Sequence, residues 1–227
     1  MHTQFVELPV FDQERHPPET QIARRRDHNG TATNAVATGA HDREVSGQRG
    51  QPHGDHQQMT RSLIMTATCS CGGVELKAFG RPIVSSVCYC DDCQKGAGQI
   101  EALPNAGTVR DPDGGTAYIL YRKDRIECSK GAELLRSYKL KETSVTNTVV
   151  ATCCNSAVFV NFDRGPHWVS AYRARFHGEL PPLQLRICTK FKPDGVVLPD
   201  DVPSYRRYPP GLVVKLLASR VAMLLGR

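Results

Sequence analysis

Val87-Cys88-Tyr89-Cys90-Asp91-Asp92-Cys93-Gln94 places three thiols within six residues in the pattern C-x-C-x-x-C. A bound metal, or a disulfide pair, gives that density of cysteine a physical purpose. Zn²⁺ takes soft thiolates at about 2.3 Å, and a tight turn can bring three sulfurs to one face of a tetrahedron. Three protein ligands leave the fourth corner open, the usual arrangement of a catalytic zinc. In the plainer alternative a fourth cysteine closes the site and the zinc only staples the fold. Spacing alone leaves both readings standing.

Just upstream, Ile83 to Val87 reads as a strand that delivers the triad at its end. Further back lies Thr66-Ala67-Thr68-Cys69-Ser70-Cys71-Gly72-Gly73-Val74, a C-x-C followed by two glycines. Glycine allows positive φ, so backbone N–H groups can turn toward bound sulfur as in a zinc knuckle. Val74 to Phe79 then alternates apolar and polar residues, the pattern of a half-buried strand. Downstream of the triad, Gln94 to Gln99 is a small-residue stretch. It reads as a loop, or as a place where a ligand approaches closely.

Farther along, Thr116–Tyr121, Leu134–Leu140, Val145–Thr152 and Ala157–Phe162 are short β-branched or alternating runs. Arg122-Lys123-Asp124-Arg125 is a charged turn. Repeated strands of this length with turns between them predict a mainly antiparallel β protein. Between two of them sits Cys153-Cys154-Asn155-Ser156. A vicinal disulfide there would strain the backbone. One or both thiols can instead join Cys69 and Cys71 in a second, closed zinc site. Cys128 and Cys188 stand alone and read as small buried hydrophobes. His167 and His177 read as hydrogen-bonded structural residues, and neither Asp91 nor Asp92 earns a proton-transfer role.

All nine cysteines lie between Cys69 and Cys188, an odd number in tight clusters, and the N-terminus lacks the apolar core of a signal peptide. These features favour metal ligation in a reducing, cytoplasmic setting over a secreted disulfide framework. Residues 65–211 hold 19 Lys/Arg against 15 Asp/Glu, without a dense basic run. That balance argues against a nucleic-acid groove.

Residues 1–64 differ from the rest, being polar, without sustained periodicity, and carrying six of the eight histidines. They read as a disordered tail, and Met65 raises the further expectation that the tail is not translated. Residues 65–211 form the zinc-binding β domain, and 212–227 a short amphipathic C-terminal helix. Its apolar run is below the ~20 residues that span a bilayer, so no transmembrane segment is expected. Oligomeric state is not legible.

Taken together, Cys69-x-Cys71-Gly72, then Cys88-x-Cys90-x-x-Cys93, then Cys154-Asn155-Ser156, resemble the glutathione-dependent formaldehyde-activating enzyme family, which includes the domain of centromere protein V. The resemblance covers roughly residues 66–178 and points to a divergent branch. It implies a zinc-stapled antiparallel β-tent and two zinc ions. Cys88, Cys90 and Cys93 would hold the catalytic ion; Cys69, Cys71 and Cys154 would hold the structural one. The family carries its other late cysteine where this chain has Ala151, and Cys153 is the obvious substitute. The implied activity is that of a carbon–sulfur lyase of the S-(hydroxymethyl)glutathione synthase type, with a small thiol such as glutathione as partner. Two rivals are a non-catalytic zinc-stapled binding module and a thiol-redox or metal-handling protein.

Overall fold

The computed structural model describes residues 64–227. The histidine-bearing N-terminal segment, and the expectations of disorder or non-translation attached to it, lie outside the described residues. Among the described residues ten strands form two sheets. The smaller sheet joins β1 (Ile64–Thr68), β2 (Glu75–Phe79) and β5 (Ile126–Lys130) in the order β1-β2-β5. The larger contains β3 (Val84–Cys88), β4 (Thr116–Arg122), β6 (Leu135–Tyr138), β7 (Thr146–Ala151), β8 (Ser156–Phe162), β9 (Trp168–Tyr172) and β10 (Leu185–Ile187). Its order is β10-β3-β4-β9-β8-β7-β6.

Side chains alternate across a strand, and β4 shows what that does here. Ile119 and Tyr121 enter a core between the two sheets, with Leu76, Ala78, Val149 and Phe159. Tyr118 and Leu120 enter a second core on the other face, with Val84, Cys88, Ile100, Tyr172 and Leu212. Burying each Leu, Ile or Phe contributes about 1.5–3 kcal/mol, so a sheet apolar on both faces is held from both. This is why β3 is buried along its whole length. The mainly antiparallel β expectation holds, with one exception. β10 pairs with β3 in parallel, setting Ile187 opposite Cys88.

Two local expectations are corrected. The stretch Gln94–Gln99 is not a loop but the middle of helix α1 (Asp91–Glu101). Its two internal glycines each cost about 1 kcal/mol against alanine. The helix forms because Cys90 caps it, Asp91 and Asp92 suit its first turn, and Ala97 and Ile100 bury one face. Arg122 is not part of an exposed turn either. It ends β4 and is 7% exposed, its guanidinium held by Asp124 and the carbonyl of Arg227. Only Lys123–Arg125 make the turn, as a short 3-10 segment.

The last element, α2 (Pro210–Leu224), begins with proline at its first turn, where the missing N–H is no loss. Leu212 and Leu216 pack it onto the second core. Lys215 Nζ donates to Gln184 Oε1 (2.8 Å), and Ser219 Oγ lies 2.6 Å from His167 Nε2. Among the described residues no helix is long and apolar enough to cross a membrane.

Candidate metal centres

Cys88 is the last residue of β3, and the chain turns there into α1, so the strand end and the helix start share one small volume. The Cys88, Cys90 and Cys93 sulfurs all lie within 4.8 Å of one another and can hold a metal ion. Cys90 is the N-cap residue of α1, and its sulfur accepts the Cys93 N–H at 3.4 Å. Helix N-termini favour negative charge and lower thiol pKa values. The three thiols share protons unevenly. Contacts with Cys188, Cys90 and Cys93, then burial, push Cys88 far up. Hydrogen bonds from Cys88 and Cys93 bring Cys90 down to about 3. For Cys93 the pull of Cys88 is downward, but Cys90 and burial outweigh it and hold the thiol at about 12.

Neighbours fix this geometry. Tyr118 Oη donates to Cys93 Sγ at 3.7 Å from the adjacent strand β4. Gln94 Nε2 donates to the carbonyls of Tyr89 (2.7 Å) and Phe191 (2.6 Å), clamping α1 to the segment after β10. Gly115 lies close under β3, where a Cβ would meet Val87 Cγ1 at 2.4 Å and the Tyr89 ring at 2.8 Å.

The second cluster joins two turns. Cys69 and Cys71 lie between β1 and β2, and Cys153 and Cys154 lie between β7 and β8. A tetrahedron with metal–sulfur bonds of about 2.3 Å has edges of roughly 3.8 Å. The observed separations bracket that figure: Cys69–Cys71 3.6 Å, Cys69–Cys153 3.7 Å, Cys71–Cys153 3.3 Å and Cys153–Cys154 4.0 Å. The donor set therefore fits a four-thiolate zinc. Val74 N–H donates to Cys69 Sγ (3.2 Å), the knuckle bond expected of the double glycine. Gly72 has φ +72°, and a Cβ on Gly73 would lie 3.0 Å from Cys153 Sγ. Cys153 is pushed well up by burial and by contact with Cys71 and Cys69. Burial acts upward on Cys154 too, but the Ser156 hydroxyl and the backbone N–H of Cys71 bring it down to about 6. Ala151 is fully buried in β7; the sulfur near Cys71 comes from Cys153.

The triad faces a cavity. A space of about 230 Å³ has Cys88, Cys90 and Cys93 in its wall, together with Tyr118, Tyr172 and Trp168, and Leu212 and Leu216 of α2. Cys128 is half-buried on β5, its thiol donating to the Lys130 carbonyl at 3.2 Å. His177 Nε2 lies 2.6 Å from Thr68 Oγ1, and His167 reaches Ser219, both structural contacts. Asp91 and Asp92 are exposed in the first turn of α1. Cys188 is buried as expected, but its thiol also contacts Cys88, a neighbour the sequence does not announce. It arrives there through the parallel β10–β3 pairing, which no local pattern signals. Cys90 as a helix cap was legible in principle, since Asp91-Asp92 directly after a turn is a helix-start signal.

A crystal structure of a Rhodobacter sphaeroides protein is similar at 18% identity, covering 52% of this chain and 92% of that one, with a TM-score of 0.38. No curated protein matches the chain. A family model described as glutathione-dependent formaldehyde-activating enzyme matches residues 64–182. That match spans both cysteine clusters and more than half of the 227 residues, and the chain belongs to the glutathione-dependent formaldehyde-activating enzyme family.

Proposed function

We propose that this protein is a two-zinc carbon–sulfur lyase that joins a thiol to a small aldehyde and reverses the same step. The observation that carries the reading is that the three-thiol cluster opens on a cavity while the four-thiol cluster does not line it. Cys88, Cys90 and Cys93 are assigned to the catalytic zinc; Cys69, Cys71, Cys153 and Cys154 to a structural one. When bound, zinc supplies positive charge that favours a substrate thiolate at neutral pH. Three thiolate donors make a weaker Lewis acid than three imidazoles, which suits thiol chemistry better than water activation.

In the forward step the substrate sulfur loses its proton and forms a bond to the aldehyde carbon. The carbonyl π pair moves to oxygen, which takes up a proton; nothing is oxidised or reduced. The chain's own contribution is positioning and exclusion of water. Tyr118 steadies Cys93 by donating to its sulfur, which tempers the thiolate charge as outer hydrogen bonds to metal ligands do. Six aromatic side chains form much of the cavity wall and limit the room for water beside the triad. Thiols in metal clusters must stay reduced, so a reducing compartment such as the cytoplasm belongs to the same proposal.

The test is Cys90→Ser, assayed for zinc content, thermal stability and the rate of thiol–aldehyde adduct formation. Loss of one zinc per chain and of the activity, with the fold retained, is the expected result. Unfolding of the variant would make the triad a structural staple and the protein a binding module.

A further inference from the structure

We propose that the cavity over the triad takes an uncharged, mainly apolar thiol and its aldehyde adduct, in preference to glutathione. The inference rests on the carbon–sulfur reading above and narrows its substrate. Six rings line the space: Tyr118, Tyr138, Tyr172, Tyr208, Phe162 and Trp168. Eight aliphatic side chains join them, including Leu212 and Leu216 from α2, beside seven polar residues. No described lining residue is lysine, arginine or histidine, and the only carboxylate there is the exposed Asp92. Glutathione carries two carboxylates and one ammonium. Bringing carboxylates against this largely aromatic wall without cationic partners is unfavourable.

Three cations near the triad but outside the wall of its cavity, Arg173, Arg186 and Lys190, are already engaged. Alternation along β3 sends Ser86 and Cys88 into the triad cavity and Val87 into a second, more open concavity on the opposite face. Arg173 and Arg186 line that second space. Arg173 donates to Ser85 Oγ (3.0 Å) and to the Pro181 carbonyl (2.6 Å), and Arg186 pairs with Asp201 at 2.5 Å. Lys190, near Cys188, lies 4.3 Å over the Phe191 ring. At about 230 Å³ the space is also smaller than the ~300–1,000 Å³ typical of drug-sized ligand sites. The wall formed by α2 lies beyond the family match, so this chain supplies it from its own C-terminal segment.

Trp168, the chain's single tryptophan, lines the cavity and reports occupancy directly. The experiment titrates the zinc-loaded full chain with benzyl mercaptan and with glutathione, following Trp168 fluorescence. The rate of adduct formation between each thiol and formaldehyde is followed in parallel by exchange NMR. Benzyl mercaptan is expected to bind at least ten-fold more tightly and to show the larger rate enhancement. Asp92→Lys is expected to raise glutathione affinity several-fold, and Leu216→Glu to weaken benzyl mercaptan. Equal or tighter binding of glutathione by the unaltered protein, with a rate enhancement, overturns the substrate inference and leaves the carbon–sulfur reading standing. Preferential binding of benzyl mercaptan with neither addition accelerated sinks the carbon–sulfur reading and keeps the apolar cavity. No fluorescence response to either thiol overturns both.

Discussion

Cys90 caps α1 with the same sulfur that completes the triad, and Gln94, one residue past Cys93, holds that helix start in place. Its amide bridges the Tyr89 carbonyl inside the motif and the Phe191 carbonyl beyond β10. Replacing it by alanine leaves two carbonyls without their donor, a loss of about 1–3 kcal/mol. Gln94→Ala is expected to weaken zinc retention at the triad, measured by competition with a chelator, while zinc at the four-thiol cluster is held as before. Equal weakening at both clusters would show that Gln94 acts on the fold as a whole. At this scale the gathering of the thiols into two clusters was readable, because metal ligation asks for sulfur at close spacing and C-x-C-x-x-C supplies it. The glycines misled. Gly96 and Gly98 signal a loop by propensity, yet the cap at Cys90 and the buried face of Ala97 and Ile100 outweigh them.

At the scale of elements, short strands were legible from alternation, but their partners were not. β10 is three residues long and reaches β3 from almost a hundred residues away, so its parallel pairing, and with it the approach of Cys188 to Cys88, leaves no local trace. Packing across β3 and β4 offers a sharp test. Gly115 precedes β4, and a methyl there would overlap Val87 and the Tyr89 ring. Overpacking of this kind costs about 1–3 kcal/mol, so Gly115→Ala is expected to lower the denaturation midpoint with the slope unchanged; an unaltered midpoint would mean the loop yields freely. The docking of α2 carries a pH signature. Burial, then Arg220 and Arg122, lower the pKa of His167, with Asp124 opposing them. The folded chain then binds fewer protons at this site than the unfolded chain, whose histidine titrates near ~6.5. The stability His167 contributes is therefore full above about pH 6.5 and is lost as pH falls below it. Trp168 sits edge-on, 5.0 Å from the imidazole, so its fluorescence is expected to change over that window, and His167→Gln to flatten the change. A transition that persists in the variant would assign it to another group.

Across the whole molecule the four-thiol cluster brings together turns that are 84 residues apart in sequence, from Cys69 to Cys153, so that a metal held there would tie the three-stranded sheet to the seven-stranded one. A cross-link closing a loop of that length stabilises a fold by about 4–5 kcal/mol in the chain-entropy picture, and zinc binding to such a site is itself folding free energy. The triad closes only the short turn from β3 into α1, between Cys88 and Cys93. The two sites should therefore part company under chelation. A graded chelator titration of the full chain is expected to remove the triad zinc first, because that site has three protein sulfurs and borders a cavity. Little change in thermal midpoint should accompany that step. Removal of the second zinc should coincide with a large drop in midpoint, and Cys71→Ser should show that drop from the outset while still binding one zinc. Total zinc by elemental analysis, read beside the midpoint at each chelator concentration, decides the matter. A single step in which both ions leave as the fold melts would mean that the triad, like the staple, is built into the stability of the sheets.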